Sequence, residues 1–198
     1  MITIDCEQLS PEWYQARAGV PSASNFDKLI TSKGDTSKQR TKYMYTLAGE
    51  SIIGNKEETY SNAAMQRGIE LENEAREMYE LITGQEVVQV GFCMNDKKEY
   101  GCSPDGLIGE DGLIEIKCPI LSTQVEYLLK KQLPTTYYQQ TQGQLFITGR
   151  KWLDFVSYYP GMNPLTVRVE PDLEFHKKLA IELNLFVAEL KEIITKIQ

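Results

Sequence analysis

The sequence predicts an α/β fold of the α+β kind, a mixed central β-sheet flanked by helices, on three observations. Helical patterns occupy residues 10–83, strand patterns follow to residue 119, and helices and strands then alternate to a closing helix. Leu113-Ile114-Glu115-Ile116-Lys117 alternates strictly, with Leu113, Glu115 and Lys117 on one face and Ile114 and Ile116 on the other. The closing helix presents Leu179, Leu183, Phe186, Leu190, Ile193 and Ile197 along one side, suited to packing on a sheet.

The bounds set by composition agree with this. At 198 residues, 41% hydrophobic and 25% charged, the chain is expected to form one domain, residues 1–198, with a substantial core. No apolar run is long enough for a membrane span and no signal peptide is read, so a cytoplasmic protein is expected. Its four cysteines lack CxxC spacing and read as reduced thiols, ill suited to an iron–sulfur cluster. One histidine and no GxSxG leave zinc, histidine-triad and serine-hydrolase chemistry unsupported, and no GxxxxGK[ST] indicates an ATP-driven motor. The formal charge of −7 argues against a protein that coats DNA nonspecifically, but not against a local basic groove.

In chain order, Ser10-Pro11-Glu12-Trp13 starts a helix through a serine cap, a proline in the first position and an acid in the first turn. It is expected to run to about Arg17 and stop at Gly19 and Pro21. A second helix is expected from Ser22 or Ser24 through Ile30. Two hydroxyls at a helix N-terminus beside Arg17 make an anion cradle, or else plain caps beside a solvated arginine. A polar loop follows, then a helix over residues 37–53 carrying Arg40 and Lys42.

The longest central helix is expected over residues 61–83, closed by Gly84, with Ala64, Leu71, Ala75, Met78 and Ile82 as its apolar stripe. Glu72 borders that stripe with Arg76 at i+4, the spacing of an ordinary ion pair. Residues 86–94 and 99–102 read as strands. Helices are expected over residues 122–131 and 134–148, the second with Gln139, Gln140, Gln142 and Gln144 as a polar exposed face. Residues 152–158 and 165–169 read as strands, and 171–197 as the closing helix with His176 solvated near its start.

Between the second and third of these strand regions lies the stretch where charges accumulate, Cys102-Ser103-Pro104-Asp105-Gly106-Leu107 followed by Leu113 to Pro119. With a three-residue loop Glu110-Asp111-Gly112 and a left-handed glycine, Gly109 pairs with Leu113, Leu107 with Glu115 and Asp105 with Lys117. Asp105, Glu115 and Lys117 then share a face, the carboxylates diagonal at roughly 7–8 Å between backbones. A two-residue loop would turn Asp105 away.

Buried charge is costly unless paired or metal-bound, and Pro104 and Pro119 bracketing apolar strands favour burial over a surface Glu–Lys pair. Carboxylates without histidine favour hard Mg²⁺ or Mn²⁺. Such an ion polarises a phosphodiester and lowers the pKa of a bound water. Lys117 is suited to orient that water or to meet charge developing on phosphorus.

Pro104-Asp105 followed by Glu115-Ile116-Lys117 resembles the PD-(D/E)XK nuclease signature. The longer wording, Cys-Ser-Pro-Asp-Gly-Leu then Glu-Ile-Lys-Cys-Pro, resembles the phage lambda exonuclease family of recombination nucleases. The resemblance extends to Trp13, Arg17-Ala18-Gly19-Val20 and Ser22-Ala23-Ser24, to Gly68 through Arg76, and to the glutamine-rich helix, all in the family's order.

What it implies is a PD-(D/E)XK, restriction-endonuclease-like nuclease fold. The implied activity is a Mg²⁺-dependent 5′→3′ exonuclease that degrades one strand of duplex DNA from its ends and leaves 3′ overhangs for phage-type recombination. Asp105, Glu115 and the Ile116 carbonyl would hold the main ion, and Glu72 would help hold a second. Lys117 would position water, Gln140 would orient the lysine or the water, and Arg17 with Ser24 and Ser22 would bind the 5′-phosphate. A ring-shaped homotrimer and a single-strand annealing partner are implied likewise. A RecB-like single-strand nuclease and an inert DNA-end-binding module are the alternatives.

Overall fold

The structure, a computed structural model, describes residues 1–56 and 63–198. The helix start expected at Ser61 lies outside the described residues. Five strands form the central sheet: β2 (Val87–Val88), β5 (Gly106–Ile108), β6 (Gly112–Lys117), β7 (Trp152–Ser157) and β8 (Leu165–Val169), in spatial order β2-β5-β6-β7-β8. Only β6 and β7 run parallel, so the sheet is mixed as expected. Beside it, β1 (Ile2–Ile4), β3 (Phe92–Met94) and β4 (Gly101–Cys102) form a small antiparallel sheet. All four cysteines are free thiols, and no helix among the described residues is long and apolar enough to cross a membrane.

Strand β6 is the middle of the fold, and its alternation assigns its two faces. Ile114 and Ile116 pack with Ala75 and Tyr79 of α3 (Ala63–Thr83), while Leu113 packs with Leu145 of α5 (Tyr138–Thr148) and with Leu153 and Phe155 of β7. Within α3 the buried side is Ala75 and Tyr79, whereas Ile82, expected in the stripe, is exposed.

Helix α1 (Pro11–Arg17) has the cap read from the sequence, the Ser10 hydroxyl accepting from the Trp13 N–H at 3.2 Å. The segment expected to be a second α-helix is instead a six-residue 3₁₀ turn, Ala23–Lys28, and Ser22 makes no side-chain cap bond there. Helix α2 (Arg40–Ile53) begins later than expected. The closing helix α6 (Leu173–Ile197) follows α4 (Leu121–Lys130), α5 and the last two strands, and it does not cover the sheet. Its Leu179, Leu183, Phe186 and Leu190 bury against Phe26, Tyr43, Met44 and Leu47 of the 3₁₀ turn and α2, which supply a broader apolar surface. Ile197 stays exposed.

The hairpin differs in register from the sequence reading. Ile108 pairs with Gly112, Leu107 with Leu113 and Gly106 with Ile114, a shift of two residues. The left-handed position is Gly109 at φ 51°, at the start of a loop Gly109-Glu110-Asp111. Gly112 serves a different need: a Cβ there would lie 2.2 Å from the Trp152 ring. Arg150 ties off the loop, donating to the carbonyls of Gly109 and Gly112, each at 2.8 Å. A shift of two preserves the facing of side chains, because their period along a strand is two.

Candidate active site

Glu115 sits in the middle of the central strand and is 1% exposed. Helix α5 crosses that face of the sheet and brings two amides to it. Gln140 Nε2 donates to Glu115 Oε1 and Gln144 Nε2 to Glu115 Oε2, each at 2.6 Å. The Lys117 ammonium forms an ion pair with Glu115 Oε1 and lies 5.5 Å from the centre of the Tyr137 ring. Burial works against the Lys117 charge, but Glu115 and Asp105 outweigh it and its pKa is raised.

Asp105 stands just before β5, where the ladder ends. Its backbone N–H donates to the Ile114 carbonyl at 3.1 Å, and its Oδ2 accepts from the Ile116 N–H at 2.5 Å. A side chain thus takes the place of the next backbone acceptor and is locked beside Glu115. It is therefore held by Ile116, not opposite Lys117 as the expected register had it. Burial, then the negative charge of Glu115, push the Asp105 carboxyl well above the ordinary carboxylate range, against the pull of Lys117. Asp105, Lys117, Ile116 and Tyr137 line one side of a cleft of about 520 Å³, and Glu72 and Ile69 of α3 line the other.

Glu72 reaches this cleft from the layer behind the sheet and is held there by Arg76, whose Nη2 donates to Oε1 at 2.6 Å. Burial, opposed by Arg76 and Lys117, raises its pKa. Among the described residues, no three acidic, histidine or cysteine side chains converge closely enough to share one ion. Glu72 is thus paired with Arg76 and lines the same cleft as Asp105, without converging with Asp105 and Glu115 on one point.

The remaining donors do suit a hard divalent cation. Asp105 and Glu115 repel each other across a buried space, and a cation there would relieve that repulsion.

A second polar centre adjoins the first through Ser103. Arg17 is buried, and its hydrogen bonds go to hydroxyls: Nη1 to Ser103 at 3.0 Å, Nη2 to Ser22 at 3.4 Å and to Ser24 at 3.3 Å. Its Nε has no partner, and its guanidinium lies 4.2 Å from the centre of the Trp13 ring. Burial lowers its pKa. Pairing of Ser22 with Gly101 of β4 places this hydroxyl set next to Ser103. The adjoining cavity of about 360 Å³ is lined by Arg17, Ser22, Lys28, Lys42 and Lys56, with Glu50 the one acid. A local excess of positive charge thus exists on an acidic chain. The 3₁₀ turn is too short for a helix dipole to contribute, so the positive character of the cavity comes from its cationic side chains.

The glutamine helix is not an exposed face. Gln139, Gln142 and Gln144 are buried. Gln142 Oε1 accepts from the Asp172 N–H at 2.8 Å and contacts His176 Nε2 at 2.9 Å, so it secures the start of α6. His176 is accordingly half-buried, edge-on to Phe146, rather than solvated. Gln144 was not singled out in the sequence, although its i+4 spacing from Gln140 was a usable signal. Ser103 was also missed; its place two residues before Asp105 was the clue.

A family model described as "YqaJ-like viral recombinase domain" matches residues 12–151. The chain is similar to an alkaline exonuclease (LHK-Exo) from Laribacter hongkongensis, with 37% identity and a TM-score of 0.86 over 95% of this chain and 96% of that one. The same figures hold for LHK-Exo solved in complex with dAMP. A phage-related exonuclease from Haemophilus somnus 129PT, at 15% identity and a TM-score of 0.69 over 90% and 96% of the two chains, shares the fold. No curated protein matches the chain. The mixed sheet between helical layers is thus the PD-(D/E)XK nuclease fold. With the family model matched over most of its length, the chain belongs to the YqaJ-like viral recombinase domain family.

Proposed function

We propose that this chain is a metal-dependent exonuclease that degrades one strand of duplex DNA from its 5′ end and leaves a 3′ overhang, with residues 1–198 acting as one nuclease domain. The observation that carries this reading is the cleft lined by Asp105 and Lys117, with the buried Glu115 paired to Lys117 behind it and the cationic cavity of Arg17 joined to it through Ser103. The similarity to LHK-Exo along nearly the whole chain supports a DNA nuclease, and the dAMP bound to that relative suits a pocket for a nucleoside monophosphate.

Asp105, Glu115 and the Ile116 carbonyl would hold Mg²⁺ or Mn²⁺, which supplies a polarised phosphodiester and an acidified water. Lys117 orients that water or stabilises charge growing on the phosphoryl oxygens. Gln140 holds Glu115 rather than Lys117, so its role is to fix the carboxylate. Glu72 takes part in a second ion site once it leaves Arg76.

Arg17, Ser24 and Ser22 bind the terminal 5′-phosphate, since a guanidinium beside hydroxyls matches phosphate oxygens. Arg17 reaches Ser103, two residues from Asp105, so the held end and the cutting site are adjacent. A cytoplasmic homotrimer that hands its product strand to a single-strand annealing protein completes the reading.

The test is digestion of linear duplex bearing either a 5′-phosphate or a 5′-hydroxyl, by wild type, Asp105→Ala and Lys117→Ala. Wild type should degrade the phosphorylated strand and both variants should leave it intact. Equal survival of the DNA with all three proteins points to an end-binding module, and a preference for single strands points to a RecB-like nuclease.

A further inference from the structure

We infer that Gln144 is a positioning residue, which holds Glu115 in the orientation that a divalent cation requires. The inference rests on the cation reading of the Asp105–Glu115 cleft and extends it to a side chain that never reaches that cleft.

Glu115 is anchored at both oxygens. Oε1 accepts from Gln140 and pairs with Lys117, while Oε2 accepts from Gln144. An ionised carboxylate offers about four acceptor positions, so three are filled. Without Gln144, Oε2 loses its donor and the carboxylate is held at one oxygen only. The plane of the group is then free to turn about its last bond.

Packing does not explain an amide at residue 144. The side chain is 1% exposed, and its Oε1 has no hydrogen-bond partner. An orphaned buried carbonyl destabilises a fold, and Leu113, Leu153 and Phe155 make this face of the sheet apolar. An unbranched apolar side chain of similar length would fill the space without the orphan. What it would lack is the N–H that meets Glu115. Tolerating an unsatisfied group to orient a ligand-bearing one is the pattern of outer-shell residues at metal sites.

The test uses Gln144→Met, which keeps length and volume, and Gln144→Asn, which keeps an amide but is one carbon too short to reach Glu115. Thermal unfolding in EDTA reports folding, calorimetric titration with Mn²⁺ alone reports cation binding, and steady-state digestion of 5′-phosphorylated duplex separates kcat from KM. Both variants should still unfold cooperatively in EDTA, at a temperature below wild type because the buried Glu115 Oε2 loses its donor. Both variants should bind Mn²⁺ about 10–100-fold more weakly and lose kcat by a similar factor, with KM unchanged.

Wild-type Mn²⁺ affinity and kcat in Gln144→Met would overturn the inference. So would failure of both variants to fold in EDTA, because the amide would then be a structural element only. If wild type itself takes up no Mn²⁺, the cation reading of the cleft falls; wild-type binding with an unaltered variant removes the role of Gln144 alone.

Discussion

Arg17 donates to the Ser103 hydroxyl at 3.0 Å, and Ser103 stands two residues before Asp105. Trp13 Nε1 donates to the same hydroxyl at 2.9 Å. One short segment therefore carries both the contact to the buried guanidinium and the carboxylate of the cleft. In the proposed reading, the spacing between the held strand end and the cutting site is set by the short step from Ser103 to Asp105.

Arg17→Ala should abolish discrimination between 5′-phosphorylated and 5′-hydroxyl duplex ends. Charge-assisted hydrogen bonds contribute about 1.5–3 kcal/mol each, which corresponds to about 10–100-fold in the preference. Digestion rates on matched substrates with the two end groups check this. An undiminished preference in the variant would place the phosphate elsewhere.

Lys117→Ala should reduce the cleavage rate by roughly 10²–10⁴-fold, the range for removing a group that acts only in the transition state. Duplex-end binding, measured by fluorescence anisotropy in Ca²⁺, should change far less, because the anion cavity lies on the Arg17 side.

The Asp105 carboxyl gives a pH signature without DNA. Its folded pKa lies well above the ordinary 3.8, owing to burial and then to Glu115. The folded protein thus binds this proton more tightly than the unfolded chain, and the associated stability is full below 3.8 and lost as pH rises through the folded value. In EDTA, Asp105→Asn should therefore unfold at a higher temperature than wild type at neutral and alkaline pH, with the gap closing toward pH 4. Divalent cation should stabilise wild type but not the variant. An unchanged gap across that pH window would contradict the account.

Gly143→Ala tests the joint between the two centres. A Cβ there would meet Phe26 Cδ2 at 2.5 Å and Ala23 Cβ at 3.1 Å, so α5 would be pushed off the 3₁₀ turn that carries Ser24. Overpacking costs about 1–3 kcal/mol, set against the ~1 kcal/mol alanine gains in helix propensity. The melting temperature should fall, and the 5′-phosphate preference should weaken with it, since α5 and the turn move apart.

Much of this was legible before any coordinates. The alternation through residues 113–117 already separated Glu115 and Lys117 from Ile114 and Ile116, and parity kept Asp105 on their side even though the register was two residues off. The register itself was not legible, because two glycines flank the loop. Only packing of Trp152 against Gly112 shows which one closes the turn. The glutamines misled for a related reason: side-chain polarity suggested solvent, whereas Gln142 and Gln144 are buried by the partners they satisfy across 28 to 34 residues of sequence. The destination of α6 was hidden too, since an apolar stripe specifies that a face is covered, not by what.

The most direct test of the central claim is end-labelled digestion of a linear duplex with a 5′-phosphate on one strand, in Mg²⁺ and in EDTA, by wild type and Asp105→Asn. The account predicts mononucleotide release from the phosphorylated 5′ end by wild type in Mg²⁺ alone, and none from the variant. Cleavage in EDTA, or equal cleavage by the two proteins in Mg²⁺, would contradict it.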